Sequence, residues 1–451
     1  MCKVPHTSGR LLLFVVWLRY VMQAYHEITY VSFGGVSINA MASLAVCGIG
    51  GAIMWRRLGE IGRFPLVLSL VGVVVISGLM NGAAEPMIET ILKWGYFFIV
   101  MLAVMDCIRR DGDVRIFGLL LWAFAPPLVY QALSVVLQVS RAAESDGSVS
   151  YIGGYNHEAA FSIVLVTCFA VASMAPRLNP AARLGLLIAC MAGILAANYR
   201  TSFIAVAPIA IGYFVFGAAR AFNPSRRMVV SLIGLMVMVG GLIAANIGLS
   251  ERLSDISTVA NDSGDLIRPP EEFTKAEQKL FSGRIYLWNR YLEEYRSGTD
   301  AQWLIGHGPD AWVETFHLYA HNTVISYLYE FGIAGAALII LIWLAMLARA
   351  FRIPDWALRG QLVCVHIGFI LLNMATMPFW QLEGIIFYGL LCGYTVCLTP
   401  SRASAPLLVP QMSPEGAKGM PGWWAGHASQ VAKLPTRQPT APRAPRGRIR
   451  V

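Results

Sequence analysis

Apolar runs long enough to cross a bilayer recur along most of this 451-residue chain, separated by short polar stretches. A spanning helix needs about 20 predominantly apolar residues. On that measure the pattern predicts spans at roughly 11–31, 37–55, 64–80, 87–105, 116–138, 157–175, 183–198, 201–218, 228–249, 321–347, 361–378 and 384–399. One long polar interval interrupts them, from Glu251 to Gly335. The fold class expected is an all-α integral membrane protein of about twelve transmembrane helices. One large loop between spans, about 250–320, carries an amphipathic helix.

The connecting loops sort by charge. One set holds Arg56, Arg57 and Arg63; Arg109, Arg110 and Arg115; Arg177 and Arg183; Arg220, Arg226 and Arg227; and Arg349, Arg352 and Arg359. The alternate set is short, neutral or acidic, and includes Asn81 to Glu89, Arg141 to Asn156, the turn near Arg200, the large loop, and Pro378 to Gly384. From Glu251 to Ala320 the large loop has 12 acidic and 7 basic residues, the reverse of the Arg-rich set. Cytoplasmic loops are the basic ones, so both termini are expected inside and the large loop outside. The first span is the weakest member of the pattern, because Arg19, His26 and Glu27 interrupt it and charged groups are costly in lipid.

Composition agrees with this class. Charged residues make up 14% of the chain and hydrophobic residues 56%, whereas a soluble domain carries about 25% charged residues. The net charge of +9 lies in short clusters between apolar runs and in the tail. No basic patch interleaved with aromatics is visible, so nucleic acid is not an expected partner. None of the eight cysteines falls in a segment placed outside, and no disulfide framework is implied. Lys3 and Arg10 precede an apolar run without a small-residue cleavage site, which reads as a retained first helix. Residues 1–400 are expected to form one polytopic domain. From Ser401 to Val451 the chain has eight Lys or Arg and eight Pro, the composition of a disordered cytoplasmic tail that touches anionic lipid.

Chemistry is expected at the outer face. Glu271 to Arg296 has a helical pattern in which Phe281, Arg284, Trp288, Tyr291 and Tyr295 share one narrow sector. Such a stripe suits a helix lying on the membrane or on the bundle. The embedded Arg284 suits a lipid phosphate, which a guanidinium grips bidentately. Gly306-His-Gly308 reads by itself as a turn. His321-Asn322 sits where the chain re-enters the membrane, with Gly332 and Gly335 on the face of the helix that His321 begins, where small residues allow close packing. His317 and His321 have the i,i+4 spacing of a metal pair, but no third ligand is evident. Glu330 is a candidate through the cost of burying a carboxylate. Arg200, in Asn198-Tyr-Arg-Thr-Ser202, breaks the charge rule by lying outside, as a headgroup anchor or something more. In Tyr151-Ile-Gly-Gly-Tyr-Asn-His-Glu158, Asn156 is placed to cap the next helix, and His157 and Glu158 sit at the interface.

Together, Arg200-Thr-Ser, Ser282-Gly-Arg-Ile-Tyr-Leu-Trp288, Gly306-His-Gly308, Ala320-His-Asn-Thr-Val, Glu330-Phe-Gly332 and Gly154-Tyr-Asn-His-Glu-Ala159 resemble the O-antigen ligase and O-antigen polymerase superfamily. Each motif alone is weak; their order and side of the membrane make the combination more specific. The resemblance implies a metal-independent, inverting glycosyltransferase of the bacterial inner membrane, with no cofactor and with its active site facing the periplasm. Its donor would be a glycan on undecaprenyl diphosphate. Its acceptor would be a sugar hydroxyl on a growing glycan or on a lipid A core, and other polysaccharide assembly proteins would be partners besides membrane lipids. By the same resemblance Arg200 and Arg284 would hold the diphosphate and His321 would activate or orient the acceptor. Tyr199, Asn322, Trp288, Tyr291 and His157 would position lipid and sugar. Asn198 departs from the family, which often has a small residue there.

The leading expectation is a polymerase of O-antigen or exopolysaccharide units, with the ligase second and transfer to a protein third. A lipid-linked glycan flippase or other transporter is the competing class. A transporter more often carries ionisable groups or broken helices at mid-membrane, whereas here the conspicuous polar residues gather at one face.

Overall fold

The computed structural model describes residues 6–33, 36–142, 149–199, 201–218, 267–275, 277–278, 283–374 and 376–400, with scattered positions between 223 and 236. The tail from Ser401, most of the span expected at 228–249, and Arg200 lie outside the described residues. The described chain is helical apart from two short antiparallel hairpins, β1–β2 (Ser32–Phe33 with Val36–Ser37) and β3–β4 (Arg141–Ala142 with Val149–Ser150).

The helices are α1 (Thr7–Ala24), α2 (His26–Thr29), α3 (Ile38–Ile53), α4 (Pro65–Met80), α5 (Ala84–Asp111), α6 (Asp113–Val136), α7 (Glu158–Met174), α8 (Pro180–Ala196) and α9 (Thr201–Gly212). After the large loop's own helices α10 (Arg284–Ser297), α11 (Asp300–Ile305) and α12 (Trp312–Thr315) come α13 (Thr323–Ala350), α14 (Trp356–Asn373) and α15 (Leu382–Leu398). Among the described residues, five helical stretches are long and apolar enough to cross a membrane: α5, α6, α9 with its continuation to Ala218, α13 and α14. A sixth is formed if α3 is joined to the turn Trp55–Arg63, bent from it by 98°. Helices α4, α7, α8 and α15 are apolar but shorter. The chain is therefore an all-α integral membrane protein.

Burial of apolar faces joins these helices. Helix α5 packs along α15, α9 along α14, α4 against α13, and α1 against α5 and α6. Arg19, the charge inside the apolar run of the first helix, is satisfied rather than exposed to lipid. Arg19 Nε donates to Glu383 Oε1 at 2.7 Å and Nη2 to Oε2 at 3.2 Å, while Nη1 reaches Asn39 Oδ1 at 2.8 Å. The side chains of Arg19 and Glu383 are only 7% and 1% exposed, so the first helix is pinned to the last by a buried ion pair. Helix α1 ends at Ala24, short of the expected 31, and His26 and Glu27 fall in the separate turn α2.

Contacts also sort the loops. Asp106 accepts from Ser8, Arg57 and Arg110, and Glu60 from Arg57 and Arg109. The Arg349 guanidinium lies 5.1 Å from the Phe64 ring centroid, and Thr399 Oγ1 donates to Arg349 O at 3.2 Å. The chain's start, three of the Arg-rich loops and the end of α15 thus meet at one end of the bundle. At the other end Tyr20 Oη donates to Gly153 O, Tyr151 N to Ala196 O, and Asn81 Nδ2 to Gly306 O.

The large loop is seated on a break in α13. Gly332 has φ 63° and ψ −168°, outside the helical region. The carbonyls of Tyr329 and Glu330 accept from His307 N (2.9 Å) and Gly308 N (3.0 Å), and Ser77 Oγ donates to Glu330 O (3.0 Å). Glu330, 1% exposed, accepts from Asp310 N at 3.0 Å and Ser326 Oγ at 2.9 Å. Any side chain at Gly332 would strike Leu304 C and O at 2.4 Å, and one at Gly306 would strike Glu330 C at 2.2 Å. The expectation that Gly332 serves helix packing is corrected: it opens the helix so that Gly306-His-Gly308 can dock on its backbone. Buried backbone polar groups need such partners at membrane depth.

Candidate functional site

The loop helix begins later than its pattern predicts. Residues Pro270–Glu272 form one tight turn and α10 starts only at Arg284, after Gly283 at φ 78°. Phe281 lies outside the described residues. The aromatic stripe that remains faces the protein's own loop. Tyr291, 1% exposed, stacks on Phe316 with centroids 3.9 Å apart and donates from Oη to Leu318 O at 3.0 Å. Trp288 Nε1 donates to Ala320 O at 2.7 Å. These two side chains hold the segment that ends in His321.

His321 does not begin the helix, as the sequence pattern suggested. It has φ 53°, a left-handed conformation that a non-glycine residue seldom adopts. Asn322 follows as the N-cap, its Oδ1 accepting from Val324 N at 3.0 Å and Ile325 N at 3.3 Å. The cap fixes the start of α13, and the left-handed turn before it directs the imidazole inward. Tyr319 lies against that ring, centroids 4.1 Å apart. The i,i+4 relation of His317 and His321 loses its meaning here, because Phe316 to Asn322 is not helical and His317 is exposed. Among the described residues no group of three or more metal-ligating side chains is present.

His157 caps α7 in place of the expected Asn156: its Nδ1 accepts from Ala159 N at 3.0 Å. Glu158 Oε2 is 4.0 Å from His157 Nδ1. The loop before it is held by Gln131 Nε2 on Tyr151 O at 3.0 Å and by Gly153, whose φ of 57° and 2.7 Å approach to Gln131 N exclude a side chain.

Electrostatics show which of these groups are neighbours. Burial, followed by the Arg284 guanidinium and the neighbouring His157, pushes the His321 pKa down to about 3. Burial raises the Tyr199 pKa, opposed by Arg284 and Thr201 beside it, with Glu158 also acting on it. The structure thus brings together Arg284, His321, His157, Tyr199 and Glu158, which come from α10, the segment before α13, the start of α7 and the α8–α9 turn. Arg200, between Tyr199 and Thr201 in sequence, is outside the described residues. Asn198 begins that turn at φ 52°; asparagine tolerates this conformation better than most side chains.

Among the described residues, Tyr199 Oη, Thr201 Oγ1 and His321 Nδ1 are buried without a hydrogen bond of normal geometry. Leaving a buried polar atom unpaired costs about 1–3 kcal/mol, and Tyr199 Oη has Thr201 and Arg284 as its polar neighbours. Thr201 and Tyr319 were not singled out by the sequence pattern. Thr201 shows no periodicity of its own, and Tyr319 lies in an irregular segment whose fold depends on α10.

Trp288, Tyr291 and Asn322 use their polar atoms on the protein itself. Arg284 acts electrostatically on both His321 and Tyr199, and His157 on His321. Asp310, near the docking point, has its pKa raised by burial, with Glu89 adding to the effect and Lys93 and Trp380 opposing it.

Residues 184–340 match the O-antigen ligase family. The matched segment starts within α8 and ends within α13, and so contains the α8–α9 turn, the whole large loop and the helix break. This is the O-antigen ligase and O-antigen polymerase superfamily that the motifs resemble. A search of curated proteins finds no match.

Proposed function

We propose, starting from the match of residues 184–340 to the O-antigen ligase family, that this protein transfers a glycan from undecaprenyl diphosphate to a sugar hydroxyl. The observation that carries this reading is the buried polar group of Tyr199, Thr201 and His321 beside the guanidinium of Arg284. A diphosphate leaving group needs cationic stabilisation of its developing charge, and Arg284 with Arg200 supplies it. The acceptor oxygen attacks the anomeric carbon from the face opposite the diphosphate. The bond from that carbon to the phosphate oxygen breaks, its electron pair leaves with the diphosphate, and the anomeric configuration inverts.

His321 orients the acceptor hydroxyl and takes its proton. In the free protein two effects keep the imidazole neutral: burial and the nearby guanidinium of Arg284. An arriving diphosphate offsets the second, so the base strengthens when the donor is bound. No metal is required for this route, because the guanidinium groups carry the charge that a divalent ion would otherwise meet.

The acceptor we assign is a growing polysaccharide, which makes the protein a polymerase of O-antigen or exopolysaccharide repeats. Attachment to a lipid A core is the second reading, favoured by the description of the matched family as O-antigen ligase. We further assign twelve spans across residues 1–400, a periplasmic large loop, and cytoplasmic termini including the tail from Ser401. The gathering of the chain's start with three Arg-rich loops at one end of the bundle supports this orientation.

The test is glycan transfer from a lipid diphosphate donor by His321→Ala and Arg284→Ala proteins. Near-native turnover in both, with normal folding, would refute the assignment. Activity that survives excess chelator supports metal independence. In a deletion strain, single repeat units on the core identify a missing polymerase, and long chains left on the carrier a missing ligase.

A further inference from the structure

A second site lies on the other face of α10. A cleft of about 440 Å³ opens there between the helix and the turn that precedes it. Its polar lining comes from Glu271, Gln278, Tyr286, Arg290, Glu293 and Glu294, and its floor includes the ring of Phe316. Tyr286 packs edge-on against Phe273, centroids 5.8 Å apart, and the Arg290 guanidinium is 5.5 Å from the Phe316 centroid.

This lining differs from that of a lipid or drug pocket, which is mostly apolar with a few polar groups. Here three carboxylates and the Gln278 amide oxygen present acceptors, and a guanidinium and a phenol present donors, around aromatic surface; the Gln278 amide nitrogen already donates to Phe273 O at 3.1 Å. Carboxylates accept from neighbouring hydroxyls and a guanidinium donates in a fixed fork. A ligand with many hydroxyls on an otherwise apolar ring satisfies all of these groups. Three carboxylates against one arginine repel an anionic ligand, so phosphate and uronic acids are disfavoured.

We propose that this cleft is a saccharide subsite. It takes a neutral or amino sugar of the glycan, remote from the reacting carbon; the inference rests on the transferase reading above. The geometry suits an oligosaccharide reaching past the reaction centre. Arg290 follows Arg284 by six residues on α10, which is about 9 Å along a helix axis. Phe316 links the two sites, because its ring is stacked on Tyr291, whose hydroxyl holds the chain leading to His321. Binding energy gathered in the cleft is thus delivered to the segment that carries the acceptor-orienting histidine.

The experiment uses the full-length protein in detergent micelles. The probe is oligosaccharide released by mild acid from the host cell's own surface polysaccharide, free of lipid and diphosphate, with binding read by saturation-transfer NMR. The wild type is expected to bind the probe and to bind a uronic-acid oligosaccharide of equal length at least tenfold more weakly. Arg290→Ala and Glu294→Gln should each weaken binding about tenfold or more and raise KM for the glycan acceptor with little change in kcat. Glu271→Gln, on the exposed rim, serves if Arg290→Ala does not fold.

Arg284→Ala should abolish transfer yet bind the probe as the wild type does. If the wild type binds the probe with Arg290 dependence but transfers nothing, the subsite stands and the transferase reading falls. If the folded cleft variants bind the probe as tightly as the wild type and keep its KM, the subsite is overturned whether or not the protein transfers glycan.

Discussion

The indole of Trp288 donates to the carbonyl of Ala320 at 2.7 Å, one residue before His321. This bond joins the loop helix to the left-handed turn that aims the imidazole. Trp288→Phe keeps the ring and removes the donor. A neutral hydrogen bond contributes about 1 kcal/mol to stability, so the fold should survive with a small drop in Tm. Turnover should fall by about tenfold, since small misplacements of a catalytic group are costly. Steady-state kinetics would check this; unchanged kcat would mean that Ala320 needs no such tether.

His321 gives a pH signature that separates its burial from its chemistry. Its pKa is lowered from the ordinary 6.5 to about 3, chiefly by burial. Between those values the unfolded chain binds a proton on this residue and the folded chain does not. Acid therefore destabilises the wild type across that window, by at most about 2 kcal/mol at pH 5. His321→Gln should lose this component while losing about 100-fold or more of the transfer rate. Thermal unfolding at pH 7 and pH 5 is the measurement, and a parallel response of both proteins would contradict the burial.

Two glycine substitutions should behave oppositely. Gly332→Ala introduces a Cβ 2.4 Å from Leu304 C and O at φ 63°. Backbone on both sides leaves no room to yield, and undocking of the large loop is expected, seen as protease sensitivity near Gly306 and a large loss of Tm. Gly72→Ala meets nothing within 4 Å inside α4. It should be neutral or mildly stabilising, because alanine favours a helix by about 1 kcal/mol over glycine.

The ion pair of Arg19 and Glu383 can be examined by removal of one partner and then of both. Glu383→Gln strands a buried guanidinium and should cost about 3–5 kcal/mol. Arg19→Met combined with Glu383→Leu should recover most of that loss, since an apolar pair of similar size replaces the charges. Equal damage by the single and double substitutions would indicate that the pair does more than close the bundle.

Hydropathy made the expected span at 157–175 legible, and the structure has α7 at Glu158–Met174. Long apolar runs carry that information locally. The aromatic stripe on α10 was also legible, because its spacing is helical. Its start was misjudged by more than ten residues, although Gly283 marks the break. The stripe's orientation was not legible: its partners, Phe316, Leu318 and Ala320, lie in irregular chain with no period. Gly332 shows the same limit. Its neighbours read as one uninterrupted helix, and the need for φ 63° arises only when Leu304 and Gly306 arrive from elsewhere in sequence. His157 displaced Asn156 as a cap by a single position, a difference that spacing alone does not decide.

The seat of the large loop on Tyr329 and Glu330 has a consequence for swapping such loops between related proteins. The loop is not an appendage on a finished scaffold, because α13 exposes backbone carbonyls at Tyr329 and Glu330 that His307 and Gly308 cover, with Ser77 of α4 as a second donor to Glu330. A graft that exchanges sugar-contacting residues within α10 should leave the membrane helices intact. A graft that crosses from Leu304 to Asp310 must bring its own broken helix along, or the recipient will hold an open helix with nothing to close it.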